Sequence, residues 1–234
     1  MAGVNFLYYC SLLDVKDWLF DLDFVDDDAD TPFTDRRIRG AISRSYGEIN
    51  AALSGAGWDV PVQNAVKSNN VAGIDVDPEA FVEFDVTSGE GVNFTPGVTL
   101  RIHGSDGGRY IDEFSGLVKV ATDTLTIDGL EVAAVESGST IEVCSEGFLF
   151  LRAVNAKGGA INLLSGKVVG QSKSDNSKIS ALQSSYESDL ESIRDGEVSL
   201  DGVTSSSAIV KTWQTENPTH VDYADSCVKI TDEY

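Results

Sequence analysis

The groups with chemistry to offer are two histidines, three cysteines and 38 aspartates and glutamates. His103 and His220 each stand alone, and a lone histidine is more often a surface or satisfied residue than a catalyst. No Gly-x-Ser-x-Gly elbow is present to hold a serine nucleophile on a strand-to-helix turn. The Gly166-Lys167 pair does not make a P-loop. Val168 stands where the magnesium-binding Ser or Thr belongs, and Ile161 where the leading glycine belongs. Gly104-Ser105-Asp106-Gly107-Gly108 reads as a turn between strands, not as a phosphate cradle opening a helix. The acidic run from Asp21 to Asp30 lacks the glycine and the closing glutamate of a calcium-binding EF-hand, and reads as a solvated loop. Cys10, Cys144 and Cys227 are odd in number and far apart, neither a disulfide framework nor a zinc site. With so many carboxylates, chance adjacency is expected, so paired acids carry no information about hydrolysis. The expectation is a non-enzyme, with no catalytic residues, no metal and no cofactor.

The elements that position these residues fit a chain of 234 residues, one large domain or two small ones. Its net charge is −21, with 38 acids against 17 bases. Such a chain gains no counterion-release energy from a phosphate backbone, which disfavours generic DNA or RNA binding. No run of about 18 apolar residues encodes a membrane span. The opening MAGVNFLYYC lacks a positive n-region and does not read as a secretory signal. A reducing cytoplasmic setting suits the cysteines.

Ser11-Leu12-Leu13-Asp14 has capping-box spacing, with Asp in place of Glu, and predicts a helix over 12–20. Thr34 is a suitable N-cap for a second helix. Its stripe is Ile38, Ile42, Tyr46, Ile49 and Leu53, and Gly55 and Gly57 end it. Arg36, Arg37, Arg39 and Arg44 lie off that stripe and make this the one locally basic element. Pro61 disfavours helix at Val60, so 58–62 reads as extended. The period then falls to two. Val82, Phe84 and Val86 alternate with acids, Val98, Leu100 and Ile102 with Thr99 and Arg101, and Ile141 and Val143 end the run. Asp128-Gly129 between alternating runs predicts a hairpin. Residues 75–146 therefore form a β module of five or six strands, a sandwich or barrel. Helical period returns over 147–165. Gly158-Gly159 inside it costs about 1 kcal/mol per glycine relative to Ala, and implies close packing or a kink. A polar linker covers 166–177. A fourth helix carries Ile179, Leu182, Tyr186, Leu190 and Ile193, and ends at Gly196.

The fold class is thus α+β: a four-helix core over 1–66 and 147–202, an inserted all-β module over 75–146, and an extended C-terminal tail over 203–234. Five segments of the helical part resemble the head–tail adaptor (connector) family of tailed viruses. Tyr9-Cys10-Ser11-Leu12-Leu13-Asp14-Val15-Lys16 is similar to the family's opening. The segments 38–53 and Gly57-Trp58-Asp59-Val60-Pro61-Val62 resemble its second helix and exit. Leu151-Arg152-Ala153-Val154-Asn155-Ala156-Lys157-Gly158-Gly159-Ala160 is similar to its third helix, and 186–196 resembles its last. The β module is a departure, since the plain family joins its second and third helices by a short connector.

The resemblance implies a structural role at the head–tail junction of a virion assembled in the host cytoplasm. Such adaptors form a ring, usually of twelve copies, beneath the portal protein. The ring extends the DNA channel without specific DNA binding and receives a tail or head-completion protein. On that reading Trp213, Val221 and Tyr223 are portal-binding candidates. Arg36, Arg37, Arg39 and Arg44 are ring-contact candidates, and the β module decorates the outside or touches capsid. A charge of −21 per copy opposes ring assembly unless opposite-sign patches or high salt offset it, and high salt would suit a halophilic source. The alternative is a capsid- or tail-decorating protein whose β module binds a receptor or glycan. It would require an aromatic ledge among Phe81, Phe84, Phe94, Tyr110 and Phe114. A third reading, an enzyme, would need a titratable cluster in a pocket.

Overall fold

The computed structural model describes residues 8–21, 35–69, 72–76, 81–106, 109–128, 140–165 and 173–205. Among them are four helices, a seven-stranded antiparallel sheet and a two-stranded sheet, a mixed α+β protein.

The first helix, α1 (Leu12–Asp21), starts at the capping box. The Ser11 N–H donates to Asp14 Oδ2 at 2.8 Å, and the Asp14 N–H donates to Ser11 Oγ at 3.2 Å. Two orphan amides of the first turn are thereby satisfied. Helix α2 (Asp35–Gly55) buries Ile38, Ile42, Ile49 and Leu53, with Tyr46 half-buried among them. Thr34 lies outside the described residues. Gly57, at φ 91°, ends α2 with paired hydrogen bonds from Trp58 to Leu53 and from Gly57 to Ser54. That arrangement needs the left-handed conformation glycine adopts without strain.

Helix α3 (Glu146–Leu164) is the central helix, packed on α1, α2 and α4. Helix α4 (Lys173–Arg194) begins inside the stretch predicted as linker. Serine, lysine, asparagine and aspartate are common in linkers but also suit a first helical turn. The paired glycines of α3 mark close packing. A Cβ on Gly158 would lie 2.6 Å from Ser45 Cβ and 2.7 Å from the Tyr186 ring. On Gly159 it would lie 3.0 Å from Val15 Cγ2 and 3.4 Å from Ile42 Cγ1. Gly158→Ala should therefore destabilise by about 1–3 kcal/mol despite alanine's better helix propensity, because Ser45 Cβ and the ring cannot step aside. Gly159→Ala meets the Val15 methyl and the Ile42 Cγ1 methylene at longer distances and should cost less. Thermal unfolding of the two variants checks the order.

The seven strands run in the order β2-β8-β5-β6-β7-β4-β3: β2 (Lys67–Asn69), β3 (Ala72–Val76), β4 (Phe81–Asp85), β5 (Thr99–Asp106), β6 (Arg109–Ala121), β7 (Thr124–Asp128) and β8 (Thr140–Val143). Strand β6 is shared. Residues 109–116 pair with β5, and 117–121 pair with β7 after a register shift between Leu117 and Lys119. The halves close over one apolar cluster of Phe84, Val86, Phe94, Leu100, Ile102, Leu117, Leu125, Ile127 and Ile141. Gly104, Ser105 and Asp106, read from the sequence as part of a turn, belong to β5, with Asp106 paired to Arg109, and residues 107 and 108 lie outside the described residues.

Gly129 and the run after it, where a hairpin was expected, lie outside the described residues. Strand β7 pairs with β4 over 124–128 and with β6 over 124–127. A tight turn is present at Thr122-Asp123, between β6 and β7, with Thr122 at φ 58°. The Asp123 carboxylate accepts from the amides of Gly89 and Gly91 at 2.9 and 3.1 Å, pinning the 87–93 loop.

The second sheet pairs β1 (Val62–Asn64) with β9 (Val203–Ser205) antiparallel. Val62 and Val203 are both buried with the helical core. Residues 203–205, at the start of the segment read as tail, are thus a strand of the folded body. The structure does not describe residues 206–234.

Candidate functional site

One constellation ties the four helices together. Asp14, already capping α1, receives Arg152 Nε at 3.0 Å and Nη2 at 2.5 Å. Arg152 also lies over the Phe114 ring, 3.7 Å from its centroid. One turn further along α3, fully buried Asn155 accepts from the Tyr9 N–H at 3.1 Å. Its amide donates to the Ile42 carbonyl at 3.2 Å and to Ser45 Oγ at 2.6 Å. Ser45 Oγ donates in turn within reach of the Ile42 and Asn155 carbonyls, both at 3.0 Å. Lys157 reaches Asp189 of α4 at 2.5 Å, and Tyr186 donates to Glu48 at 2.7 Å. Arg152, Asn155, Lys157, Gly158 and Gly159 thus contact α1, α2 and α4 from successive turns of one helix.

A second constellation joins the helices to the β module. Arg101 and Glu142 are cross-strand partners on β5 and β8, and both are buried. The Arg101 guanidinium donates to the Tyr8 carbonyl and lies 5.1 Å from the Phe148 ring centroid. Glu142 Oε2 accepts from Asn64 Nδ2 at 3.2 Å. Asn64 Oδ1 accepts from the Ser145 N–H at 3.1 Å, and Ser145 Oγ caps α3 through the Phe148 N–H at 3.2 Å. Alternation along β5 reads Arg101 as a polar, outward residue. It is buried because Tyr8 and Phe148 cover its face of the strand, while Leu100 and Ile102 on the other face lie in the β core.

Two tyrosines in this body cannot ionise easily. Burial, first, and then the hydrogen bond to Glu48 push the Tyr186 phenol far above its ordinary value. Burial raises Tyr9, whose hydroxyl donates to Asn50 Oδ1 at 2.6 Å and accepts from the Val62 N–H at 3.2 Å. A raised folded pKa gives stability that is complete below the unfolded value, about pH 10 for tyrosine, and is lost as pH rises above it. Thermal stability should therefore decline from about pH 10 upward. Tyr186→Phe should make that decline shallower, and melting curves between neutral and alkaline pH check it.

Arg36, Arg37, Arg39 and Arg44 are all exposed on α2, on the side away from Ile38, Ile42 and Ile49. Trp213, Val221, Tyr223, His220 and Cys227 lie outside the described residues, as does the acidic loop from residue 22 onward. Cys10 and Cys144 are buried free thiols. Among the described residues no three His, Cys, Asp or Glu side chains gather to hold a metal, and no helix is long and apolar enough to cross a membrane. Of the five module aromatics, Phe84 and Phe94 are in the β core and Phe114 is half-buried beneath Arg152. The side chains of Phe81 and Tyr110 fall outside the described set.

Sequence reasoning missed Arg101, Glu142 and Asn64. Opposite charges facing each other across neighbouring strands would have found the Arg101 and Glu142 pair, but only once the strand order was known. The chain matches no protein-family model and no curated protein sequence.

Proposed function

We propose that this chain is a virion structural protein, a head–tail adaptor that forms a ring under the portal, extends the DNA channel and joins capsid to tail. Its helices are the adaptor core, with the seven-stranded module inserted between α2 and α3. The observation that carries the reading is the helix-locking constellation. The segments 9–16, 38–53 and 151–160, which bear the resemblance, meet one another through Tyr9, Asp14, Ile42, Ser45, Arg152, Asn155 and the two glycines. A likeness spread over separate segments gains weight when its residues form one contact set.

In this role the partners are the portal protein, a tail or head-completion protein, and further copies of the chain, usually twelve, with the module facing outward toward capsid. An acidic channel repels passing phosphate over about one Debye length, roughly 8 Å at physiological salt. The same charge makes assembly depend on salt, and a ring from a halophile falls apart as salt is lowered.

Quantitative mass spectrometry of purified particles tests the proposal. A copy ratio near one to the portal protein is expected. Many copies per portal would move the function to decoration or the tail tube, and absence from particles would sink it. The tail's part is tested separately by removing residues 206–234, which keeps β9 paired with β1. Portal docking should be lost while the fold survives, and unchanged docking would overturn the assignment of Trp213, Val221 and Tyr223.

A further inference from the structure

The outward face of α2 carries four arginines that make no ion pair among the described residues, in a chain with 38 acids. Arg37 and Arg44 are seven residues apart, so they share a face two turns apart, and Arg36 and Arg39 flank them. Between them sit Gly40 and Gly47, also seven apart. A Cβ added at either would meet nothing within 4 Å. Gly158 and Gly159 are glycine because neighbours crowd them. Gly40 and Gly47 have no such neighbour among the described residues, yet they weaken a helix interior. Together they leave a low, smooth track bordered by cations that form no ion pair among the described residues.

The complementary surface is on α4. Glu187, Glu191 and Asp195 recur every four residues, all exposed. Ser180, Ser184 and Ser188 recur beside them, also exposed, so the ridge is narrow. Asp189 is excluded because Lys157 holds it. Helices α2 and α4 pack against each other through Tyr186 and Glu48, with Glu48 one turn beyond Arg44, and among the described residues no ion pair joins the arginines to the acid ridge.

We infer that the Arg36–Arg44 face of α2 docks the Glu187–Asp195 ridge of α4 on a second copy of this chain. The inference rests on the ring reading above and names the surfaces that would make it. Because the two surfaces differ, the contact is head-to-tail, and repeating it gives a closed ring or an open filament.

The test uses the full chain, with association measured by sedimentation at physiological and at high salt. One variant carries Arg37→Glu and Arg44→Glu, and the other carries Glu187→Lys and Glu191→Lys. Circular dichroism verifies that each keeps its helices. Either variant alone places like charges across the contact and should associate about tenfold more weakly than the native chain, or worse. Mixed together, each variant's altered face meets an opposite charge on the other, and association should return in alternating order. Native-like association of either variant alone, or a mixture that does not recover, overturns the surfaces while leaving the ring reading standing. A native chain that stays monomeric under every condition overturns both.

Discussion

Replacing Arg101 by methionine should cost about 3–5 kcal/mol, because it takes the cation from the strand position facing buried Glu142. Asn64 Nδ2 would still donate to that carboxylate, but one neutral amide does not offset a buried charge. The loss should also be directional. Arg101 binds the Tyr8 carbonyl and stacks near Phe148, so its removal loosens the β module from α3 before it loosens either part internally. Adding Glu142→Met to Arg101→Met should recover most of the loss, since an apolar pair of similar volume needs no desolvated charge. Urea unfolding of the two single variants and the double completes the cycle. A double variant as weak as Arg101→Met alone would mean that the guanidinium's contacts with Tyr8 and Phe148 dominate, not the charge pairing.

Replacing Asn155 by leucine should be about as severe, roughly 3–5 kcal/mol, for a different reason. The side chains are close in volume, so little cavity opens. What is lost is hydrogen bonding in a fully buried place. The Tyr9 N–H loses its acceptor, and the Ile42 carbonyl and Ser45 hydroxyl lose a donor. Each stranded polar group costs about 1–3 kcal/mol when water cannot reach it. Since Asn155 holds the segment before α1 to α2 and α3, amide exchange should rise first at Tyr9 and across α1. A variant with native exchange rates at Tyr9 would show that this amide has another acceptor. Ser45→Ala serves as a milder companion. It removes one hydroxyl from the same network, and Asn155 keeps its bonds to Tyr9 and Ile42.

Both residues bear on how far the sequence could be read. Asn155 was visible as part of a segment with a family likeness, but its task was not. Nothing in the spacing of α3 says that one polar residue on the apolar side will meet the amide of Tyr9. The capping box at Ser11 and Asp14 was legible because both partners lie within one turn. Arg152 as the second partner of Asp14 was not, because it comes from the far side of the β module. The candidate interaction surface divides the same way. The arginines of α2 stood out by type and spacing alone. Gly40 and Gly47 became informative only when the space around them was known to be open, and the α4 ridge only when Asp189 proved to be committed to Lys157.

The sequence by itself determined the four helices, their buried stripes, the glycine stops at Gly57 and Gly196, and the β character of the middle of the chain. These are short-range properties. Periodicity, caps and turn residues act within a few residues of one another, where the covalent chain already holds the partners together. The strand order, the pairing of β7 with both β4 and β6, the pairing of β9 with β1, and the burial of Arg101 and Glu142 came from the tertiary structure alone. Those outcomes depend on which distant segment covers a given face or edge. Alternation along β5 marks two faces but cannot say that both will be covered, and that second covering turns an apparently solvent-facing arginine into the joint between the module and the helices.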